Sequence, residues 1–229
     1  MANFPSPPAG HTSSQCPSYR TALLGQVATL LTRPRTNPPT LPQCIRLYIR
    51  YQRPNSQAYL NSFVRMTLPT AIAQAALSTC PVCNCLHPHQ CHIGYNKCQQ
   101  WSTYLVNLAN LQANLANVNT FEDIFQIIQK AYAKWPLSKL NGNNQLLVYD
   151  TALRISAQLG LLPNALVYLH AAAHVPSVPK HYRGKHSGTL PVTKFLPAFA
   201  RNQMTAYEIE EFLCNFHTVL KKYYIPVIR

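Results

Sequence analysis

The sequence predicts an all-α protein, a compact helical domain, and three observations carry that expectation. Apolar residues recur at three- and four-residue spacing through most of the chain. Helix-start signals precede those runs, with Thr120 before Phe121-Glu122-Asp123 and Thr205 three residues ahead of Glu208. Stretches of strict apolar/polar alternation are hard to find.

Residues 1–17 are rich in Pro and Ser and are expected to form a disordered tail, leaving 18–229 as a single helical domain. From Tyr19 to Thr32, Leu23, Leu24, Val27, Leu30 and Leu31 follow helical spacing. Prolines 34, 38, 39 and 42 then interrupt the chain, and Cys44–Tyr51 reads as either a strand or a short helix. A helix over 56–77 is expected to kink or divide at Pro69. After a Cys/His-rich loop at 80–98, the stripe Leu105, Leu108, Leu111 and Leu115 predicts a helix over 97–117. Thr120 caps the next, whose inward residues are Phe121, Ile124, Phe125, Ile128 and Tyr132. Another runs from Gln145 to Leu159 and stops at Gly160. Past Pro163 the sequence reads as a short buried helix or strand, and 176–203 reads as a Pro/Gly/basic loop. The last helix, 205–223, opens with the Thr205/Glu208 capping box and closes on Lys221-Lys222. Glu208, Glu210 and Glu211 read as cap and dipole residues.

Charge is the clearest functional signal. Lys and Arg number 20 against 6 Asp and Glu, for a net charge of +14, although only 11% of residues are charged. The first carboxylate side chain is Glu122, so residues 1–121 carry seven Arg and one Lys with no acid. Such a field attracts polyanions, and nucleic acid, double-stranded DNA first, is the expected partner. No run approaches ~18 uninterrupted apolar residues, so a membrane span is excluded. No basic amphipathic helix points to a membrane surface, and no obligate protein partner is inferred. The opening residues lack the apolar core of a signal peptide, so the cytoplasm is the expected location, on the nucleoid if the source is prokaryotic.

In that setting the eight cysteines read as reduced thiols or metal ligands. Cys80 and Cys83 have the C-x-x-C spacing that seats two thiolates on one zinc ion. Any two of Cys85, His87, Cys91, His92 and Cys98 could complete the tetrahedron, and the expected set is Cys80, Cys83, Cys91 and Cys98 around one structural zinc. Free cysteines in a packed loop are the alternative reading.

The stretch Lys139-Leu140-Asn141-Gly142-Asn143-Asn144-Gln145 joins two helical segments by a tight Gly/Asn turn. Gly and Asn tolerate positive φ, and the amides opening the second helix are oriented toward an anion. The element resembles the helix-hairpin-helix of DNA-binding proteins, with Asn144 where the second turn glycine stands in that family. The resemblance implies phosphate contacts from Lys139, Gly142, Asn143 and Asn144, joined by Arg154 and by Lys185 of the basic loop.

Asp150-Thr151, followed by Arg154-Ile155 and Leu159-Gly160-Leu161, is similar to the segment around the catalytic aspartate of helix-hairpin-helix DNA glycosylases. Over 139–163 that resemblance implies an enzyme cleaving the N-glycosidic bond of a damaged or modified base, with Asp150 stabilising the sugar cation. No Lys lies within 140–150, so a monofunctional glycosylase without lyase activity is the implied form. In that family the arginine stands five residues after the aspartate; here Arg154 stands four after Asp150. Asp150 and Arg154 are thus also spaced for an i,i+4 ion pair, and both readings stay open. His170 reads as a core histidine. Residues 142–214 also resemble a set of small uncharacterised prokaryotic proteins through YDTALRI, LG followed by P, VYLHA and YEIEEFLC, with HPHQ at 87–90 as a further piece. The function alternatives are a non-catalytic nucleic-acid-binding protein and a zinc-stabilised protein-interaction module.

Overall fold

The computed structural model describes residues 21–80, 86, 87, 90, 93–138, 145–169, 178 and 188–229. The chain is mostly helical. The helices are α1 (Thr21–Thr32), α2 (Leu41–Tyr51), α3 (Arg53–Val64), α4 (Leu68–Leu77), α5 (Tyr95–Val106), α6 (Leu111–Ala116), α7 (Phe121–Lys134), α8 (Gln145–Leu159), α9 (Pro197–Arg201) and α10 (Ala206–Lys222). Two short strands, β1 (Leu166–Leu169) and β2 (Gly188–Pro191), pair antiparallel with Val167 opposite Leu190 and Tyr168 opposite Thr189.

Two local outcomes settle alternatives the sequence leaves open, and two others differ from the sequence reading. Cys44–Tyr51 is helical, because Thr40 and Gln43 form a reciprocal capping box and Pro42 sits in the first turn, where its missing N–H costs nothing. The 56–77 helix is two helices, divided before Pro69, which lies in the first turn of α4. The 97–117 helix is also two, parted at Asn110, whose left-handed φ of 62° no continuing helix accepts. Within the expected loop 176–203 lie β2, a 3-10 turn at Val192–Lys194 and α9. A four-residue strand reading Gly-Thr-Leu-Pro is too short and too rich in Gly and Pro to show a period-two pattern.

Other boundaries fall as the sequence predicts. Thr120 accepts the Asp123 N–H at 3.2 Å to open α7. Gly160, at φ 72°, ends α8 in a Schellman turn, with the Leu161 N–H reaching Ser156 O at 2.9 Å.

The described chain gathers into two compact units. The first spans Gln57–Leu161, where α8 packs on α4 and α7, and α4 on α5. Trp101, Tyr132 and Trp135 form an aromatic cluster inside it, and the Trp101 indole N–H donates to Thr151 Oγ1 at 3.2 Å. That bond removes the cost of burying an indole donor.

The second unit is built from two distant stretches, Arg20–Ser56 and Leu162–Arg229. Its core joins Leu23, Val27 and Leu30 of α1, Cys44, Ile45 and Tyr48 of α2, Val167 and Leu169 of β1, and the inner face of α10 from Ile209 to Leu220. Phe199, Phe212 and Phe216 pack edge-on and stacked within it.

Cys44 is fully buried there, and burial pushes its thiol up to about 12 from the ordinary 9.0. The unfolded chain therefore loses this proton first, so the stability that depends on it is whole below pH ~9 and declines as pH rises toward 12. Tyr48 and Tyr207, pushed above the phenol value of 10.0 chiefly by burial, add to the decline at higher pH. The urea midpoint should hold steady to pH 8 and fall from pH 9. Cys44→Ala should flatten the portion between pH 9 and 10, worth at most ~1.4 kcal/mol per pH unit.

Candidate functional site

Asp150 lies at mid-length in α8 and is 4% exposed. Its Oδ2 accepts from Gln90 Nε2 at 2.7 Å and from Arg154 Nη2 at 3.3 Å, with His87 Nδ1 at 3.9 Å. Arg154, one helical turn further on, is 2% exposed. Its other donors are also used: Nη1 reaches Ala75 O and Ser78 Oγ, both at 3.0 Å, and Nη2 reaches Gln90 Oε1 at 3.1 Å. The guanidinium lies 5.7 Å from the centre of the Tyr59 ring.

Ala75 belongs to the last turn of α4, and Ser78 is its left-handed cap at φ 61°. Arg154 is thus a cationic cap on the C-terminal end of α4, the end where the helix dipole favours a positive charge. Asp150 balances that charge from one turn away. The i,i+4 spacing does form the ion pair, but in the interior rather than on a solvated face. This arrangement ties α8, α4 and the Gln90 segment into one block.

Of the expected zinc ligands, Cys80 and Cys98 are buried, while Cys83 and Cys91 lie outside the described residues. Among the described residues no group of three His, Cys, Asp or Glu side chains is placed to hold a metal ion. Lys139, Gly142, Asn143, Asn144, Lys185 and His170 also lie outside the described residues.

The second unit treats its carboxylates differently from the sequence reading. Glu208 does cap α10, with Oε2 accepting the Thr205 N–H at 2.9 Å, but it also binds Arg53 through Oε1 at 3.0 Å and is nearly fully buried. Glu210 is buried as well. Glu211 is more than a dipole residue: its carboxylate accepts from the Tyr48 hydroxyl at 2.7 Å, the Gln52 amide at 2.8 Å and the Ser56 hydroxyl at 2.5 Å. Tyr48, Gln52 and Ser56 are spaced four apart, so they fall on one helical face across the junction of α2 and α3. That polar i, i+4, i+8 series was the available signal, though nothing in it names Glu211 as the partner.

The consequence is electrostatic. With Glu208 and Glu210 buried and Glu211 half-buried under three donors, the exposed charged side chains among the described residues of this unit are all cations. They are Arg35, Arg46, Arg50, Lys194, Arg201, Lys221 and Arg229. Arg46 and Arg50 follow Gln43 on one exposed face of α2, and Arg33 Nη1 donates to Gln43 Oε1 at 3.5 Å, extending the strip toward the end of α1. Arg46 and Arg50 are like charges at i,i+4, a pairing that slightly disfavours the helix.

No protein-family model, curated protein or solved structure matches this chain. No helix among the described residues is long and apolar enough to cross a membrane.

Proposed function

We propose that the protein binds nucleic acid through the phosphate backbone, without catalysis, using the cationic surface of its second unit. The single observation that carries this reading is the one-signed surface: the three glutamates of this unit turn inward to hydroxyl, amide and guanidinium partners or into the core, while the charged side chains that face solvent among its described residues are all Arg or Lys. A solubility role would be served by charges of both signs, whereas a surface cleared of carboxylates suits a polyanion. Arg predominates over Lys on α2, and its planar fork matches phosphate oxygens.

The non-catalytic form is favoured by the state of Asp150. A carboxylate that stabilises a sugar cation needs a base-sized pocket beside it, whereas Asp150 is buried against Gln90 and Arg154. Its charge balances an arginine that holds α4, so it serves the architecture.

The reading is tested by fluorescence anisotropy with unrelated oligonucleotides and by incubation with duplexes containing uracil, 8-oxoguanine or alkylated bases. Binding of unrelated sequences with comparable Kd, and no base release from any duplex, is the expected result. Base release that disappears in Asp150→Asn while folding is intact would restore the glycosylase reading.

A further inference from the structure

The C-terminal end of α10 breaks a rule that α8 obeys. Both helices finish in a Schellman turn, with the Ile225 N–H reaching Leu220 O at 3.0 Å after α10. The residue that must turn left-handed is Gly160 after α8, but Tyr224 after α10, at φ 52°. The other left-handed non-glycine residues among those described, Ser78, Asn110 and Gln203, are all polar. A left-handed non-glycine residue carries backbone strain, and an aromatic side chain normally offsets it by burial. Tyr224 does not, being 72% exposed.

The surroundings of Tyr224 are rigid and cationic. The hydroxyl of its neighbour Tyr223 lies 2.8 Å from both Leu30 O and Arg33 O, which share its one proton, and Lys222 donates to Leu31 O, so this turn is fastened to the end of α1. Ile225 is buried on the other side. Lys221 is exposed at the last turn of α10, and Arg33 and Arg35 follow the end of α1 that Tyr223 grips. The second unit has no exposed carboxylate side chain among its described residues.

We infer that Tyr224 is a stacking platform for an unpaired base, and that Lys221, Arg33 and Arg35 hold the phosphates on either side of that base. The occupant is single-stranded nucleic acid. A flat aromatic face, held out in solvent by a fastened turn and flanked by cations, combines the two elements of such recognition, base stacking and a basic track for the backbone. Duplex DNA, whose bases are already stacked on one another, gains nothing from the ring. The inference rests on the nucleic-acid reading above and adds the strand state to it.

The test is Tyr224→Gly, measured in three ways. Glycine relieves the left-handed strain, so the melting temperature should rise by ~2–4 °C. Affinity for a single-stranded oligonucleotide should fall at least ~5-fold, while affinity for a duplex of the same length stays within ~2-fold. Tyr224→Phe keeps the ring and should bind single strands like the wild type. An oligonucleotide carrying 2-aminopurine should be quenched on binding the wild type and Tyr224→Phe, and not on binding Tyr224→Gly. If Tyr224→Gly binds single strands as tightly as the wild type, the platform is refuted and the basic surface alone accounts for binding. If the wild type binds neither strand form, the nucleic-acid reading itself falls, and this inference with it.

Discussion

Replacing Arg154 by Met is expected to destabilise the protein by about 3–5 kcal/mol, the cost of stranding a buried charge without its partner. Several losses coincide in that variant, among them the Arg154 donor to Gln90 Oε1. Asp150 keeps Gln90 but loses its cation, Ala75 O loses the donor that capped α4, and Ser78 Oγ loses its charged partner. Asp150→Asn should cost less than Arg154→Met, because the guanidinium retains Ala75, Ser78 and Gln90 as acceptors. The double variant Asp150→Leu/Arg154→Met should be more stable than the sum of its single changes by about 2 kcal/mol, since it leaves no orphaned charge. Urea denaturation of the wild type, Asp150→Leu, Arg154→Met and the double variant reads this coupling. A catalytic Asp150 predicts the opposite pattern: an Asn variant of normal stability that has lost a reaction.

Reversing the strip on α2 is expected to produce the largest functional loss. Arg46→Glu/Arg50→Glu replaces two exposed cations and should weaken nucleic-acid binding at least ~10-fold at moderate salt, with a similar effect on every sequence. Stability should change by no more than ~0.5 kcal/mol, because both residues project into solvent and Arg50 packs only over Tyr51 at 5.2 Å from the ring centre. The same exchange at Lys130 and Lys134, exposed on α7 of the first unit, should matter less to binding. Anisotropy titrations of the two double variants, side by side, separate a localised surface from a diffuse effect of the +14 charge.

How far the sequence reached depends on whether a feature is local. The cap at Thr120 and the stop at Gly160 are each written in a few neighbouring residues, and each element forms where that local chemistry puts it. The i,i+4 spacing of Asp150 and Arg154 is also local and legible. Its burial is not, because Ala75, Ser78 and Gln90 reach it from 60 to 79 positions away. Glu211 reads as a helix-terminal acid because its three donors lie 155 to 163 residues upstream. The basic excess is visible in the composition, but a one-signed surface requires the glutamates to turn inward, and only packing decides that. Tyr224 gives no signal at all: a Schellman turn is recognised by its glycine, and here the glycine is missing.

The central claim, a phosphate-binding surface on the second unit, is tested most directly by the salt dependence of binding to a random-sequence oligonucleotide between 50 and 200 mM monovalent salt. Counterion release makes the logarithm of the association constant fall linearly with the logarithm of salt concentration, by roughly 0.7 to 0.9 per phosphate neutralised. Four or more contacts from the seven exposed cations among the described residues of this unit predict a slope of about −3 or steeper, reduced by about 1.5 in Arg46→Glu/Arg50→Glu. A slope near zero, or one that the double reversal leaves unchanged, would contradict the account.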